Sequence, residues 1–439
     1  MKRQITRFIV KLDFNKYNSL WFGHKSFLLG AFFLASALPI SGIFFLFAIF
    51  ISFIKNKTNP FNDKWNYPLF FSTGILIFNT INNSIFNTPI ENSHLESIPI
   101  ILGLFNWIPL FFAFWGFQSY LKNKSQRELF AKYLIAGSMP VLVSCILQYW
   151  FNIFGPFETL NGLIIWFQRP ISGNIGVSGL FSNQNYTGFW LSSIWPFSIY
   201  FLRVINKREF HKIILFIISF LILYLTILTN SRNSLVSILI AITFLFKLKF
   251  FIISLILILI FSGTYFALLN FSIIEEFNLR SFFPTDMLEQ IFKFKLGNLM
   301  SLPRFQIWSK AIKLIFERPI FGWGASTFAS VYAIKGGFYK IVHTHSMPLE
   351  LAYNFGLPLA IIICGFSLYL LIRGWKIIFV KEKNYLDINL YWLTSLTIVL
   401  VSHINDISYY DGKISLLIWI LLAGVKCLND EHKYKNKSC

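Results

Sequence analysis

Long, nearly uninterrupted apolar stretches are the strongest constraint on this chain. They run over 67–86, 98–121, 132–154, 188–205, 213–229, 233–247, 250–270, 353–373, 388–404 and 412–428, and most of the charge falls in the segments between them. About 18 apolar residues suffice to carry a helix across a bilayer. Soluble elements alternate or repeat with the helical period, and these stretches do neither. The expected fold is therefore an all-α integral membrane protein.

The stretch 26–54 decides the topology. It can be one long tilted helix, or two short ones broken near Pro39-Ile40-Ser41-Gly42. With one helix, Lys55, Lys57, Lys64 and every later basic loop fall outside the cell. With two, the loops Lys122–Lys132, Asn206–Lys212, Lys247–Lys249 and Arg373–Lys383 all join both termini in the cytoplasm, and the acidic loop Asn87–Ser97 lies outside. The second solution obeys the positive-inside rule on nearly every loop. We expect about 12 transmembrane helices and a multi-pass inner-membrane protein with both termini cytoplasmic. The net charge of +20 then follows from topology, and no nucleic-acid partner is expected.

This scheme divides the chain into a basic N-terminus (1–25), nine transmembrane helices within 26–270 with an outer loop at 155–187, and a large, partly helical periplasmic loop (271–352). Three further transmembrane helices (353–428) and a cytoplasmic tail (429–439) follow. The first 25 residues lead into a stretch longer than a signal-peptide core, so no cleaved signal is expected. The four cysteines, Cys145, Cys364, Cys427 and Cys439, lack metal or redox spacing and read as packing residues. Within the large loop, Arg304–Arg318 places Phe305, Trp308, Ile312 and Ile315 on one side and Lys310, Lys313 and Glu317 elsewhere. That is an amphipathic helix lying on the membrane or over the bundle. Pro319 ends it, and Gly322-Trp323-Gly324 turns the chain.

The outer face carries a few polar residues in telling positions. Arg232 lies in a very short link between two spans, on the side where this chain otherwise avoids cations. Arg304 begins the amphipathic helix, and Arg169 is a third outer arginine. Each alone also fits an interfacial anchor. Together they suit a diphosphate, because the planar guanidinium holds phosphate oxygens bidentately and stays charged. In His343-Thr344-His345-Ser346, Ser346 is a plausible N-cap and Pro348 fits a first helical turn. His345 then sits at the positive end of a helix dipole, which favours a neutral imidazole able to accept a proton. The His-x-His spacing invites a metal, but with no third ligand nearby on that face none is expected. His403, Asp406 and Asp411 lie in the last outer loop, and nothing in the sequence shows whether they approach the same place.

The motifs Gly179-Leu180-Phe181-Ser182-Asn183-Gln184-Asn185, Thr229-Asn230-Ser231-Arg232 and Arg304-Phe305-Gln306-Ile307-Trp308 occur in that order. Arg318-Pro319-Ile320-Phe321-Gly322-Trp323-Gly324 and His345-Ser346, followed by Gly356, complete the set. In this order the chain resembles the O-antigen ligase/polymerase family of bacterial envelopes, with motifs over about residues 160–375. The resemblance implies a metal-independent, inverting glycosyltransferase without a cofactor. Its donor would be a polyprenyl-diphosphate-linked glycan, its acceptor a lipid or another glycan, and its setting the periplasmic face among membrane lipids. It implies that Arg232 and Arg304 contact the donor diphosphate, with Arg169 a weaker third, and that His345 is the general base. Asn185 and His343 are expected as neighbours. Leu359 stands where a small residue or tyrosine is usual, and Asn354 where an acidic residue often stands. Ligase, polymerase and transfer to protein therefore stay open. A transporter, for bicarbonate or a glycolipid, is the alternative class, although the spans are poor in the ionisable residues that coupled transport uses.

Overall fold

The computed structural model describes residues 14–55, 60–86, 97–173, 175–205, 209–246, 303–337, 341–380 and 385–435. The expected span at 250–270 and loop residues 271–302 lie outside these. The described chain is almost wholly helical. Its first half contains α1 (Phe14–Phe33), α2 (Leu38–Lys55), α3 (Tyr67–Phe86), the short α4 (Ser97–Leu102), α5 (Ile108–Phe117) and the long α6 (Lys124–Trp150). Next come α7 (Gln184–Val204), α8 (Glu209–Leu228) and α9 (Arg232–Leu245). The C-terminal part has α10 (Pro303–Glu317), α11 (Phe328–Ile334), α12 (Met347–Phe355), α13 (Leu357–Val380), α14 (Ile388–Asn405) and α15 (Gly412–Lys435). One short hairpin, β1 (Phe157–Thr159) against β2 (Ile164–Trp166), lies within the loop 155–187.

Seven of the described helical segments are long and apolar enough to cross a membrane. Their outward surfaces are what lipid requires. Helix α2 exposes Ile43, Leu46, Phe47 and Phe50, and α8 exposes Phe210, Phe216, Ile217 and Phe220. In water a belt of such residues would drive aggregation, whereas in hydrocarbon it needs no cover. Helices α14 and α15 form the buried centre, where Trp392 and Trp419 are fully enclosed.

The first hairpin is split, as charge required. The break spans Leu34–Ala37, a few residues before the expected Pro39–Gly42, because Pro39 belongs to the first turn of α2. Proline fits a first turn, where its missing N–H costs nothing. A second boundary also moves. The span expected to start at 353 begins at Leu357, and the residues before it form the separate helix α12. Gly356 makes the break at φ +87°, and its N–H still closes on Ala352 O. A Cβ there would strike the carbonyls of Ile320 and Pro319, so glycine is required for the two segments to cross.

The two ends of the bundle differ in character. At one, buried cations are fully paired: Arg127 bonds to Glu431 (2.7 Å), Asn389 (2.9 Å) and Leu121 O (2.8 Å). Lys426 there pairs with Asp63 (2.5 Å) and Asp430 (2.7 Å). The α1–α2 turn lies at the other end, where Trp166 of the hairpin donates to Ser36 O (2.7 Å). Tyr409, between α14 and α15, stacks on Trp107 and donates to Asn106 O. The first residues of α7, α9 and α15 and the last of α8 and α14 gather at this second end.

Candidate functional site

At the second end the motif segments are packed together. The Gly179–Asn185 segment docks on the α8–α9 turn: Val177 N–H donates to Leu228 O (3.1 Å), and Gly176 N–H to the Gln184 side chain (2.6 Å). Arg232 opens α9 with its side chain exposed. The next residue, Asn233, donates to Ser402 O (3.0 Å) in the last turn of α14, and Ser237 bonds the Ser402 hydroxyl (2.7 Å). The same carbonyl, Ser402 O, accepts from Asp406 N–H (3.1 Å), so Arg232 and Asp406 share one corner of the bundle.

Arg304 enters from α10. The helix agrees with the expected 304–318 segment, but its buried side is Ile307, Ala311, Leu314 and Ile315. Of the expected face only Ile315 is buried, whereas Phe305 is 39% and Ile312 42% exposed. The helix has two apolar arcs. The one containing Ala311 approaches the protein closely, and the one with the larger side chains faces outward. The outward arc, with Phe316, leads toward Phe321, which packs on the lipid-facing Phe78 of α3. Arg304 lies at the N-terminal end of α10.

The Gly322-Trp323-Gly324 motif supports the histidine segment. Trp323 N–H donates to Tyr353 O (2.8 Å) and Gly324 N–H to Asn354 O (3.0 Å), so the motif runs directly along the end of α12. Gly322, at φ +66°, has no room for a Cβ against the Asn354 backbone. At the other end of α12, Ser346 is the N-cap residue and Pro348 lies in the first turn, although the Ser346 side chain makes no capping bond.

The histidines precede that helix. His345 stands at φ +54°, in the left-handed region that residues with a Cβ seldom occupy. Its Nδ1 lies 3.4 Å from Asp406 Oδ1, while Arg304 Nη2 lies 3.8 Å from the other oxygen, Oδ2. One carboxylate therefore bridges the imidazole and the guanidinium. Burial works to raise the Asp406 carboxyl, yet the hydrogen bond from His345, the Arg304 charge and the Ile407 N–H hold it below the usual carboxylate range. His343 packs edge-on against His345, with ring centres 4.2 Å apart. Its Nδ1 accepts the His345 backbone N–H (3.3 Å). Burial first, then the His345 and Arg304 charges, push His343 down to about 4, against the opposing pull of Asp406. His343 is thereby a neutral structural neighbour, its Nδ1 lone pair already committed.

The structure thus brings His345, His343 and Arg304 together and puts Arg232 at the same corner. Asn185, in the first turn of α7, is half-buried beside Tyr186, which is within electrostatic reach of Asp406 and Asp411. Arg169 is not drawn in. Its carbonyl accepts from Gln148 (2.8 Å) and its side chain is exposed, with no bond to Arg304, Asp406 or His345 among the described residues. No three His, Cys, Asp or Glu side chains are placed to hold a metal ion among the described residues. Sequence reasoning named Asp406 without being able to place it, and missed Glu350 entirely. The available signal for Glu350 was the one carboxylate in Met347–Phe355.

Fold and site together define a polytopic α-helical membrane protein with an arginine–carboxylate–imidazole cluster at one end of its bundle. Residues 214–364 match the family model described as O-antigen ligase, so this part of the chain is similar to that family. The matched segment contains Arg232, Arg304 and His345, while Asp406 lies beyond it. No curated protein matches the chain. The match supports a ligase or polymerase role in surface-polysaccharide assembly.

Proposed function

We propose that the chain transfers a glycan from a polyprenyl-diphosphate carrier to a hydroxyl of a lipid or glycan acceptor on the periplasmic face of the inner membrane. The observation that carries this reading is the Asp406 bridge between His345 and Arg304. With Nδ1 donating to Asp406, His345 Nε2 keeps a free lone pair. That lone pair takes the acceptor hydroxyl proton as the oxygen bonds to the anomeric carbon. The bond from that carbon to the diphosphate breaks, and the polyprenyl diphosphate leaves with the electron pair. Arg304 and Arg232 stabilise the charge that builds on it. Attack opposite the leaving group inverts the anomeric centre. Asp406 orients the imidazole and offsets its positive charge once it is protonated. No metal takes part in these steps.

The outer placement is supported by charge. The basic segments 122–132 and 373–380 lie at the end of the bundle away from His345, where a cytoplasmic surface gathers Lys and Arg. Both termini are read as cytoplasmic on the positive-inside rule.

The test uses cells lacking the gene, complemented with wild type or His345→Ala. The surface-glycan profile of the deletion identifies the reaction. Loss of all glycan-bearing bands marks a ligase, and collapse to single repeat units marks a polymerase. His345→Ala is expected to behave as the deletion at wild-type protein level. An unchanged profile in both strains would remove the reading.

A further inference from the structure

We propose that Glu350 is a positioning residue that holds His345 and Asp406 at their working separation from both sides, an inference that rests on His345 being the general base. Glu350 is buried in the first turn of α12, and both of its carboxylate oxygens are engaged. Oε2 accepts the Thr344 backbone N–H at 2.9 Å. Oε1 accepts from Asn354 Nδ2 at 3.2 Å and from the Tyr410 hydroxyl at 3.3 Å. The donors belong to different segments. Thr344 lies between His343 and His345, while Tyr410 lies in the α14–α15 loop four residues after Asp406. One side chain therefore ties down both segments that carry the reacting pair.

The histidine turn needs such a tie. His345 is in the left-handed region, so the turn persists only where its surroundings over-determine it. The Thr344 hydroxyl donates to Ser346 O (2.9 Å), and Glu350 N–H donates to the same carbonyl (2.8 Å). The Glu350 carboxylate supplies the remaining anchor. Among the described residues its hydrogen-bond partners are neutral donors and no cation pairs with it. Burial raises its carboxyl against the pull of Thr344, Asn354 and Tyr410. A neutral group of the same size can stand in for such a carboxylate only where it keeps the hydrogen bonds that the carboxylate made. Glu350 touches neither the donor arginines nor His345 Nε2, so its effect passes through geometry.

Glutamine separates the clamp from the fold. Its amide oxygen can accept the Thr344 N–H. Its NH2 can donate to Asn354 Oδ1, which is buried with no protein partner among the described residues, once that amide turns. The experiment uses full-length protein in proteoliposomes, with lipid-linked glycan extracted from cells lacking the gene as donor and membranes of those cells as acceptor. Glu350→Ala is expected to lower kcat about 100-fold, the size of a misplaced catalytic group, with donor KM within about twofold. Glu350→Gln should recover most of kcat and keep the wild-type pH profile. Tyr410→Phe, which removes one tie, should lower kcat about tenfold at unchanged KM.

A Glu350→Ala enzyme at wild-type kcat overturns the proposal. So does a Glu350→Gln enzyme that melts like wild type yet is as slow as the alanine variant. If Glu350→Ala does not fold, Tyr410→Phe decides, and wild-type kcat there overturns the proposal. His345→Ala in the same assay separates the two inferences. Full activity in it removes the general-base reading, whereas its inactivity beside an unaffected Glu350→Ala overturns only the role of Glu350.

Discussion

Arg127 and Arg304 show how differently one residue type is used at the two ends of this bundle. Arg127 is fully enclosed, and its guanidinium is spent on Glu431, Asn389 and Leu121 O at hydrogen-bonding distance. The Arg304 side chain is 44% exposed and among the described residues meets one carboxylate oxygen, at 3.8 Å. A pair so long and so open contributes little to stability, so its charge stays available to a ligand. Paired cations thus close one end, while half-satisfied ones leave the other ready for an anion. A diphosphate arriving at Arg304 would outcompete Asp406 and leave that carboxylate to His345 alone.

The comparison can be broken most directly at His345. His345→Ala should cost about 10²–10⁴ in rate, measured as glycan transferred by purified protein, and a fully active variant ends the site assignment. Arg304→Ala and Arg232→Ala should each cost about 10²–10³, while Arg304→Lys recovers only part because a point charge replaces a fork. Equal tolerance of alanine at both would make these arginines interfacial anchors. Asp406→Asn should lower kcat about tenfold with little change in donor KM, since orientation is lost while the arginines remain. A larger effect on KM than on kcat would move Asp406 from His345 to the donor.

At the other end the expectation inverts. Arg127→Ala should lower stability by about 3 kcal/mol and leave kcat of the surviving protein unchanged, read from thermal melts beside single-turnover rates. The smallest effect concerns His343. Its folded value of about 4 lies below the ordinary 6.5, so the unfolded chain binds the extra proton first. The stability contributed by neutral His343 is complete above 6.5 and declines as pH falls toward about 4. The groups facing it are His345, Arg304 and Asp406. Melting temperatures between pH 7 and 4.5 should fall less steeply in His343→Gln than in wild type, and parallel curves would show that His343 is not held neutral.

Much of this was legible in residue order. Span hydropathy and loop charge were enough to require the split first hairpin, because each is a property of the local chain and its solvent. The Arg304–Arg318 helix and the Ser346–Pro348 helix start were legible for the same reason. Which arc of α10 is buried was not, since the smaller residues around Ala311 win by allowing close approach, which depends on the neighbouring element. Nor was the break at Gly356, which exists because the Ile320 carbonyl crosses there.

For the site, sequence alone determined the residue types and their order: arginines at helix starts, a histidine before a capped helix, and an all-helical membrane scaffold to hold them. Tertiary structure alone decided the partners. Asp406 lies 61 residues after His345 and Glu350 reaches Tyr410 60 residues on, separations at which no periodicity carries information. It also left Arg169 outside the cluster, because the Gln148 bond to its carbonyl fixes that loop while its side chain points to solvent. Local chemistry is written in spacing along the chain. Contact between distant segments is set by which helix ends the folded bundle brings to one corner.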